Sequence, residues 1–329
     1  MIPHCELVGA SAAGGMELRV ADPSLIKDLH ALVGVQDVLE NEPMRDHTSF
    51  RIGGPADVFV TPHSCEQAAG AIAACRAAEA PVCVMGHGSN LLVADEGLRG
   101  VVVQLSGNMA AIATEGDTIR AEAGASNAKV AATACKEGLA GFEFAAGIPG
   151  ALGGAAVMNA GAYGGEFRDV CFAVDCLTPE GELVRLDAEQ AGWGYRTSRI
   201  ADEGMVVLGV QIGLHEDDPA AIQERMDDLA GRRRAKQPLE LPSAGSTFKR
   251  PEGDFAGRLI QEAGMQGHRV GDAQVSTKHA GFVVNLGSAT AADVLQVIRD
   301  VRRAVNEQFG VLLQPEVKLW GFSEAPFQE

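Results

Sequence analysis

The chain has 329 residues, a length that accommodates two domains or one large one. Hydrophobic residues make up 46% and charged residues 22%, which excludes wholesale disorder and allows a core of useful size. The formal net charge of −17, from 27 basic against 44 acidic side chains, repels phosphate backbones and sets nucleic acid aside as a partner.

Residues 1–40 carry few strong signals and read as a peripheral lead-in. Residues 48–60 alternate toward an extended segment, punctuated by Gly53, Gly54 and Pro55. Ser64-Cys65-Glu66-Gln67 matches a capping box, and the alanine-rich run behind it predicts a helix to about Glu79, stopped by Pro81. A short buried strand over 81–85 leads into the loop Gly86-His87-Gly88-Ser89-Asn90. Strands follow at 101–105 and 119–123, and a helix at 127–137. Residues 144–165 then run 22 positions without a charge, long enough to span a bilayer. Seven glycines, Pro149 and Asn159 make a buried glycine-rich loop region the better reading, so no membrane span is expected.

Residues 170–177 and 182–186 pair around the turn Pro179-Glu180-Gly181, and 205–214 form the closing strand. The polar run His215-Glu216-Asp217-Asp218-Pro219 is the candidate boundary. Beyond it lie a helix ending near Lys236, a loop and a smaller α/β unit. Arg232, Arg233 and Arg234 read as a solvated face of that helix. The last helix, 290–309, puts Val294, Ile298, Val301, Val305 and Phe309 on one face, and Gly310 stops it. The pattern predicts an α+β protein in two lobes, 41–215 and 216–329, after the lead-in 1–40. A doubly wound dinucleotide fold is not expected, because Leu91 stands where G-x-G-x-x-G needs its third glycine.

The seven cysteines form no Cys-x-x-Cys pair and no Cys–His spacing suited to zinc, so no metal is expected. Cys171 and Cys176, five apart in a strand-like run, should point to opposite faces. An odd count without a framework fits reduced thiols in the cytoplasm. The N-terminus lacks a basic segment followed by an apolar core, so no secretory signal is expected. His47, His268 and His279 read as satisfied loop or core histidines.

Two segments look built to approach a phosphate-bearing cofactor. In Gly86-His87-Gly88-Ser89-Asn90-Leu91, glycine lets N–H groups converge on an anion while Ser89 and Asn90 add donors. In Gly147-Ile148-Pro149-Gly150-Ala151-Leu152-Gly153-Gly154, continued through Asn159 and Gly161 to Gly164, small residues let something large and flat lie against the main chain.

These segments resemble the two flavin loops of the UDP-N-acetylenolpyruvoylglucosamine reductase family. Tyr195-Arg196 with Ser198 matches that family's Tyr-Arg-x-Ser motif, Gly245-Ser246-Thr247-Phe248-Lys249 its Gly-Ser-x-Phe-Lys motif, and Pro315-Glu316-Val317 its carboxy-terminal motif. The resemblance covers about residues 45–321. It implies a two-lobed flavin domain of the vanillyl-alcohol-oxidase kind, with a smaller α/β substrate-binding domain, and FAD held non-covalently. It implies NADPH as co-substrate and reduction of the enolpyruvyl ether of UDP-N-acetylglucosamine to UDP-N-acetylmuramate, a step of peptidoglycan precursor synthesis. The short stretch between Arg196 and Ser246 resembles the shorter of two family subtypes.

Under this resemblance Arg196 grips the substrate carboxylate, Glu316 helps polarise it, and Ser246 hands a proton to the α-carbon. Tyr195, Lys236 and Arg250 are expected at the substrate, Arg250 standing where many relatives carry asparagine. Two alternatives stay open: a flavin oxidase, with flavin tethered through His87, and a binding protein without catalysis.

Overall fold

The protein was analysed as a computed structural model that describes residues 22–322 and 326–327. Its first helix, α1 (Pro23–Val33), starts where Asp22 accepts a hydrogen bond from Ser24 N and proline fills the first turn. α1 buries Leu25, Leu29 and Val33 beside α2 (Cys65–Ala77), so the stretch read as a lead-in contributes, from residue 22 on, to the larger core. Strand Val38–Pro43 follows, antiparallel to Pro55–Val60. The sequence hid it because Leu39, Glu40 and Asn41 are all exposed and leave no apolar alternation. Residues 48–54 are not extended: Thr48 Oγ1 donates to Ile52 O, and Arg51 sits at φ 55.

The first sheet runs in the order Val38–Pro43, Pro55–Val60, Leu98–Gln104, Val82–Met85, its last two pairings parallel. α2 lies on it through Ala68, Ala71, Ile72 and Cys75. Ser64 caps α2 by accepting from Gln67 N, while the Gln67 side chain reaches one residue further back, to His63 N. The second sheet is antiparallel throughout: Leu183–Asp187, Cys171–Leu177, Val206–Gly213, Thr118–Glu122, Ile112–Glu115. Cys171 and Cys176 are both buried in the larger core. The pairing of their strand with Val206–Gly213 slips between Cys171 and Ala173 and again between Asp175 and Cys176, which breaks the two-residue period. Cys65, Cys75, Cys135, Cys171 and Cys176 are free thiols.

The six-residue α4 (Leu152–Val157) packs against this sheet, and α3 (Asn127–Lys136) against Leu139–Ala140. The uncharged run thus breaks into short pieces, and among the described residues no helix is long and apolar enough to cross a membrane. The four-residue α5 (Arg199–Asp202) follows, capped by Ser198. The polar run at 215–219 is not a free linker: His215–Glu216 pairs with Leu139–Ala140. α6 (Pro219–Lys236) then lies on the first lobe, with Ile222 against Cys135 and Ala140 and Arg225 paired to Glu143 at 2.8 Å.

The second lobe carries α7 (Ala256–Glu262), a three-stranded antiparallel sheet ending in Val283–Asn285, and α8 (Ala291–Phe309). α8 opens with a capping box between Thr290 and Asp293 and buries Val294, Ile298, Val301 and Val305, with Phe309 partly buried. Gly310 ends it at φ 67, a left-handed turn that glycine adopts without cost to a side chain.

Three devices tie the lobes together. The Asp95 carboxylate accepts from Ala291 N at 2.8 Å and Ala292 N at 3.1 Å, at the positive end of α8. Asn285 Nδ2 donates to Phe50 O, and Ser49 Oγ to Ser243 O. The final strand, Lys318–Trp320, leaves the second lobe and pairs in parallel with Leu91–Val93.

Candidate active site

A cleft of about 2120 Å³ opens between the lobes and is lined by both glycine-rich segments. That is more than twice the upper end of an ordinary small-molecule pocket, about 1,000 Å³, and leaves room for a cofactor and a substrate together. The first loop touches the second: Ser89 Oγ donates to Pro149 O at 3.0 Å. Close approach requires glycine at two points. A Cβ on Gly88 (φ +62) would stand 2.1 Å from His47 O, and one on Gly150 (φ +132) 2.7 Å from Ser89 Oγ.

Gly86, His87, Gly88, Ser89, Asn90, Leu91, Gly147, Ile148, Pro149, Gly150, Gly153, Gly154 and Gly161 all line the cleft. The main-chain N–H groups of His87, Gly88, Ser89 and Asn90 have no acceptor among the described residues, so they are available to an anion. A Cβ at Gly154 would meet no protein atom, so the wall there is kept open. Two buried polar atoms by this wall are unpartnered, Asn127 Oδ1 and Arg233 Nη1. A dinucleotide with a charged diphosphate and a flat ring system fits such walls. His87 is half-buried, and burial lowers its pKa, so the ring is neutral at pH 7.

Asn159 is the exception among the expected cofactor contacts. It is 0% exposed and stands behind the cleft wall, with its amide fully engaged by protein groups. Asn90 also serves the protein, since its Nδ2 donates to Glu316 O at 3.2 Å.

Arg196 and Glu316 meet on the cleft wall, only 19% and 16% exposed, with Nε 3.0 Å from Oε1. The guanidinium is held on its other edges by Asn159 O, at 3.1 Å from Nη1, and Gly161 O, at 2.9 Å from Nη2. Burial raises the Glu316 pKa above the ordinary carboxylate value, against the opposing pull of Arg196. Ser246 reaches the same site from the second lobe. Glu316 N donates to Thr247 O and Lys249 N to Gln314 O, which lays the serine segment beside the glutamate segment. Ser246 lines the cleft and its hydroxyl has no partner among the described residues.

Lys236 lines the cleft from the end of α6. Tyr195 crosses from the first lobe and its hydroxyl accepts from Arg250 N at 3.1 Å. The Arg250 guanidinium lies over the Phe255 ring, 4.5 Å from its centre, which places it at the cleft rim.

Sequence reasoning missed two charges, Arg233 and Lys318. Arg233 does not lie on a solvated face, unlike Arg232, which pairs with exposed Asp228. Its Nη1 would stand 3.1 Å from a Cβ on Gly147, Nε donates to Gln237 Oε1, and burial lowers its pKa. No carboxylate pairs with it among the described residues. Lys318 is half-buried, its pKa lowered by burial and then by Lys249. The signal for Lys318 was available, since strand residues two apart share a face and Glu316 stands two before it. His47 stacks on Phe59 and meets Glu42 at 2.8 Å, and His268 meets Asp300 at 2.9 Å. Among the described residues no group of three or more His, Cys, Asp or Glu could hold a metal.

Residues 56–187 match the FAD binding domain family, and residues 237–320 match the C-terminal domain of UDP-N-acetylenolpyruvoylglucosamine reductase. The reductase of that name from Exiguobacterium sibiricum is 46% identical over 297 residues, covering 90% of this chain and 97% of that protein. Its counterpart in Lachnoclostridium phytofermentans is 48% identical over 301 residues, with the same 90% and 97% covered. The crystal structure of UDP-N-acetylenolpyruvylglucosamine reductase from Thermus caldophilus aligns with a TM-score of 0.74 at 37% identity, over 86% of this chain and 98% of that one. With near-half identity along nine-tenths of its length, and with an FAD-binding lobe meeting the reductase's own C-terminal domain at one cleft, this FAD-dependent oxidoreductase belongs to the UDP-N-acetylenolpyruvoylglucosamine reductase family.

Proposed function

We propose that the protein reduces the enolpyruvyl ether of UDP-N-acetylglucosamine to UDP-N-acetylmuramate, with NADPH as electron source and non-covalent FAD, in the cytoplasm. One observation carries the reading: Arg196, Glu316 and the unpartnered hydroxyl of Ser246, from three distant stretches of chain, share one cleft wall. The lobe 41–215 would hold FAD and 216–329 the substrate, with α6 riding on the first. The N–H groups at 87–90, the open wall at 147–154 and Arg233 are the groups that would hold the cofactor. When bound, FAD supplies the two-electron chemistry that no side chain here can perform.

Reduction of a vinyl group conjugated to a carboxylate builds negative charge on the α-carbon and the carboxylate oxygens. Arg196 is fixed on three edges and permanently charged, so it meets that charge without reorganising. Glu316, its pKa raised by burial, stands beside the same carboxylate and would donate to it when protonated. The Ser246 hydroxyl would protonate the α-carbon, a role supported by its having no acceptor among the described residues. Lys236 and Arg250 supply positive charge toward the nucleotide end of the cleft.

The test is anaerobic. NADPH should bleach the bound flavin, and the enolpyruvyl sugar nucleotide should restore its colour within the time of one turnover. Colour restored only by oxygen would replace this reading with a flavin oxidase, and flavin that stays on the acid-precipitated chain would do the same through His87.

A further inference from the structure

Asn159 holds the most constrained position near the site. It is fully buried, adopts φ 42, and has all three amide hydrogen-bonding groups engaged. Asparagine enters the left-handed region more readily than most residues, so the backbone alone does not single it out. Its partners do. Nδ2 donates to Gly194 O at 2.9 Å and to Glu166 Oε2 at 3.0 Å, while Oδ1 accepts from Arg168 N at 3.0 Å. Gly194 opens the tight turn that carries Tyr195 and Arg196, closed by Gly194 N donating to Thr197 O at 3.1 Å. Within that turn Arg196 itself adopts φ 56, an uncommon conformation that the surroundings must impose. From the other side, Asn159 O accepts from Arg196 Nη1.

One residue therefore grips both the backbone that carries Arg196 and the guanidinium at its far end. Neighbouring contacts dock the flanks of the same turn on the end of α4: Trp193 Nε1 donates to Ala156 O at 2.7 Å and Ser198 Oγ to Val157 O at 2.7 Å. Those two fix where the turn lies, and the asparagine alone spans it from base to charge. We infer that Asn159 is the positioning residue of Arg196, setting the guanidinium at the depth where it faces the substrate carboxylate. It touches neither substrate nor cofactor. The inference rests on the reductase reading above, since it needs Arg196 to act in the second half-reaction.

The test is a double-mutant cycle on the holoenzyme, read in both half-reactions. Asn159→Asp keeps the oxygen that accepts from Arg168 N but removes both donors. It should retain flavin and the wild-type rate of flavin reduction by NADPH. Reoxidation by the enolpyruvyl sugar nucleotide should slow by about 10²-fold, the cost of misplacing a reacting group by roughly an ångström. In the Arg196→Lys background the same change should cost almost nothing more, because the group it positions is gone. Asn159→Gly, which keeps the positive φ and deletes the amide, should behave alike and replaces the Asp variant if that one loses flavin. Additive losses in the cycle, equal slowing of both half-reactions, or loss of folded holoenzyme in both variants would each show a merely structural residue. If the wild-type flavin is not reoxidised by the sugar nucleotide at all, it is the reductase reading that fails.

Discussion

At the scale of single residues, the proposed chemistry divides between groups that carry charge and one that carries a proton. Ser246→Ala removes a hydroxyl that has no partner among the described residues, so folding and flavin reduction should be unchanged. Reoxidation by the enolpyruvyl substrate should slow by about 10²–10⁴-fold, the scale of a positioned acid, and Ser246→Cys should recover part of it. Stopped-flow traces that slow equally in both steps would remove the serine from the chemistry. Glu316 gives a pH dependence with a definite sign. Burial raises its folded-state pKa above 4.5, so the native protein holds this proton more tightly than the unfolded chain does. Its contribution to stability is therefore complete below 4.5 and declines as pH rises through the folded value. The rate of reoxidation should fall across the same limb, and Glu316→Gln, which donates without titrating, should flatten it. A limb that survives this substitution belongs to another group. The motifs made Arg196, Ser246 and Glu316 legible as separate signals. What no reading of the sequence could supply was Asn159: an asparagine among glycines suggests a ligand contact, and only tertiary packing places it behind the wall.

At the scale of elements, legibility followed apolar periodicity. The helix α8 stood out because its buried residues repeat at helical spacing, and the hairpin Cys171–Leu177/Leu183–Asp187 because the turn at Pro179-Glu180-Gly181 separates two apolar runs. Strand Val38–Pro43 did not, since its pairing is carried by main chain while Leu39, Glu40 and Asn41 in its middle are all exposed. The slips in the pairing of Cys171–Leu177 leave no trace in composition either. α8 also offers a measurable case. Asp95→Ala removes two hydrogen bonds at its first turn, donated by residues of the other lobe, and leaves the Thr290–Asp293 box in place. It should cost about 1 kcal/mol in denaturant unfolding, the usual worth of a cap. A loss below a few tenths would mean that water replaces the carboxylate.

At the scale of the whole molecule, both lobes and α6 wall the cleft, so its occupant should behave as a structural member. Removing FAD should lower the thermal midpoint, and readding it at a hundred times its Kd should restore about 2.7 kcal/mol. An unchanged midpoint would mean that the groups at 87–90 and 147–154 do not hold it. The closing strand Lys318–Trp320 has a consequence for how the protein is made. Trp320 is buried among Met44, Phe59, Met85 and Val93, and its carbonyl accepts from Ala94 N. A ribosome releases those first-lobe residues long before it releases the tryptophan. The glycine loop at 86–90 therefore waits, half-supported, until the second lobe has emerged, and a chain cut short before that strand cannot finish even its first lobe. With only two tryptophans in the sequence, Trp193 and Trp320, the burial of the second is the optical signature of that final stitch.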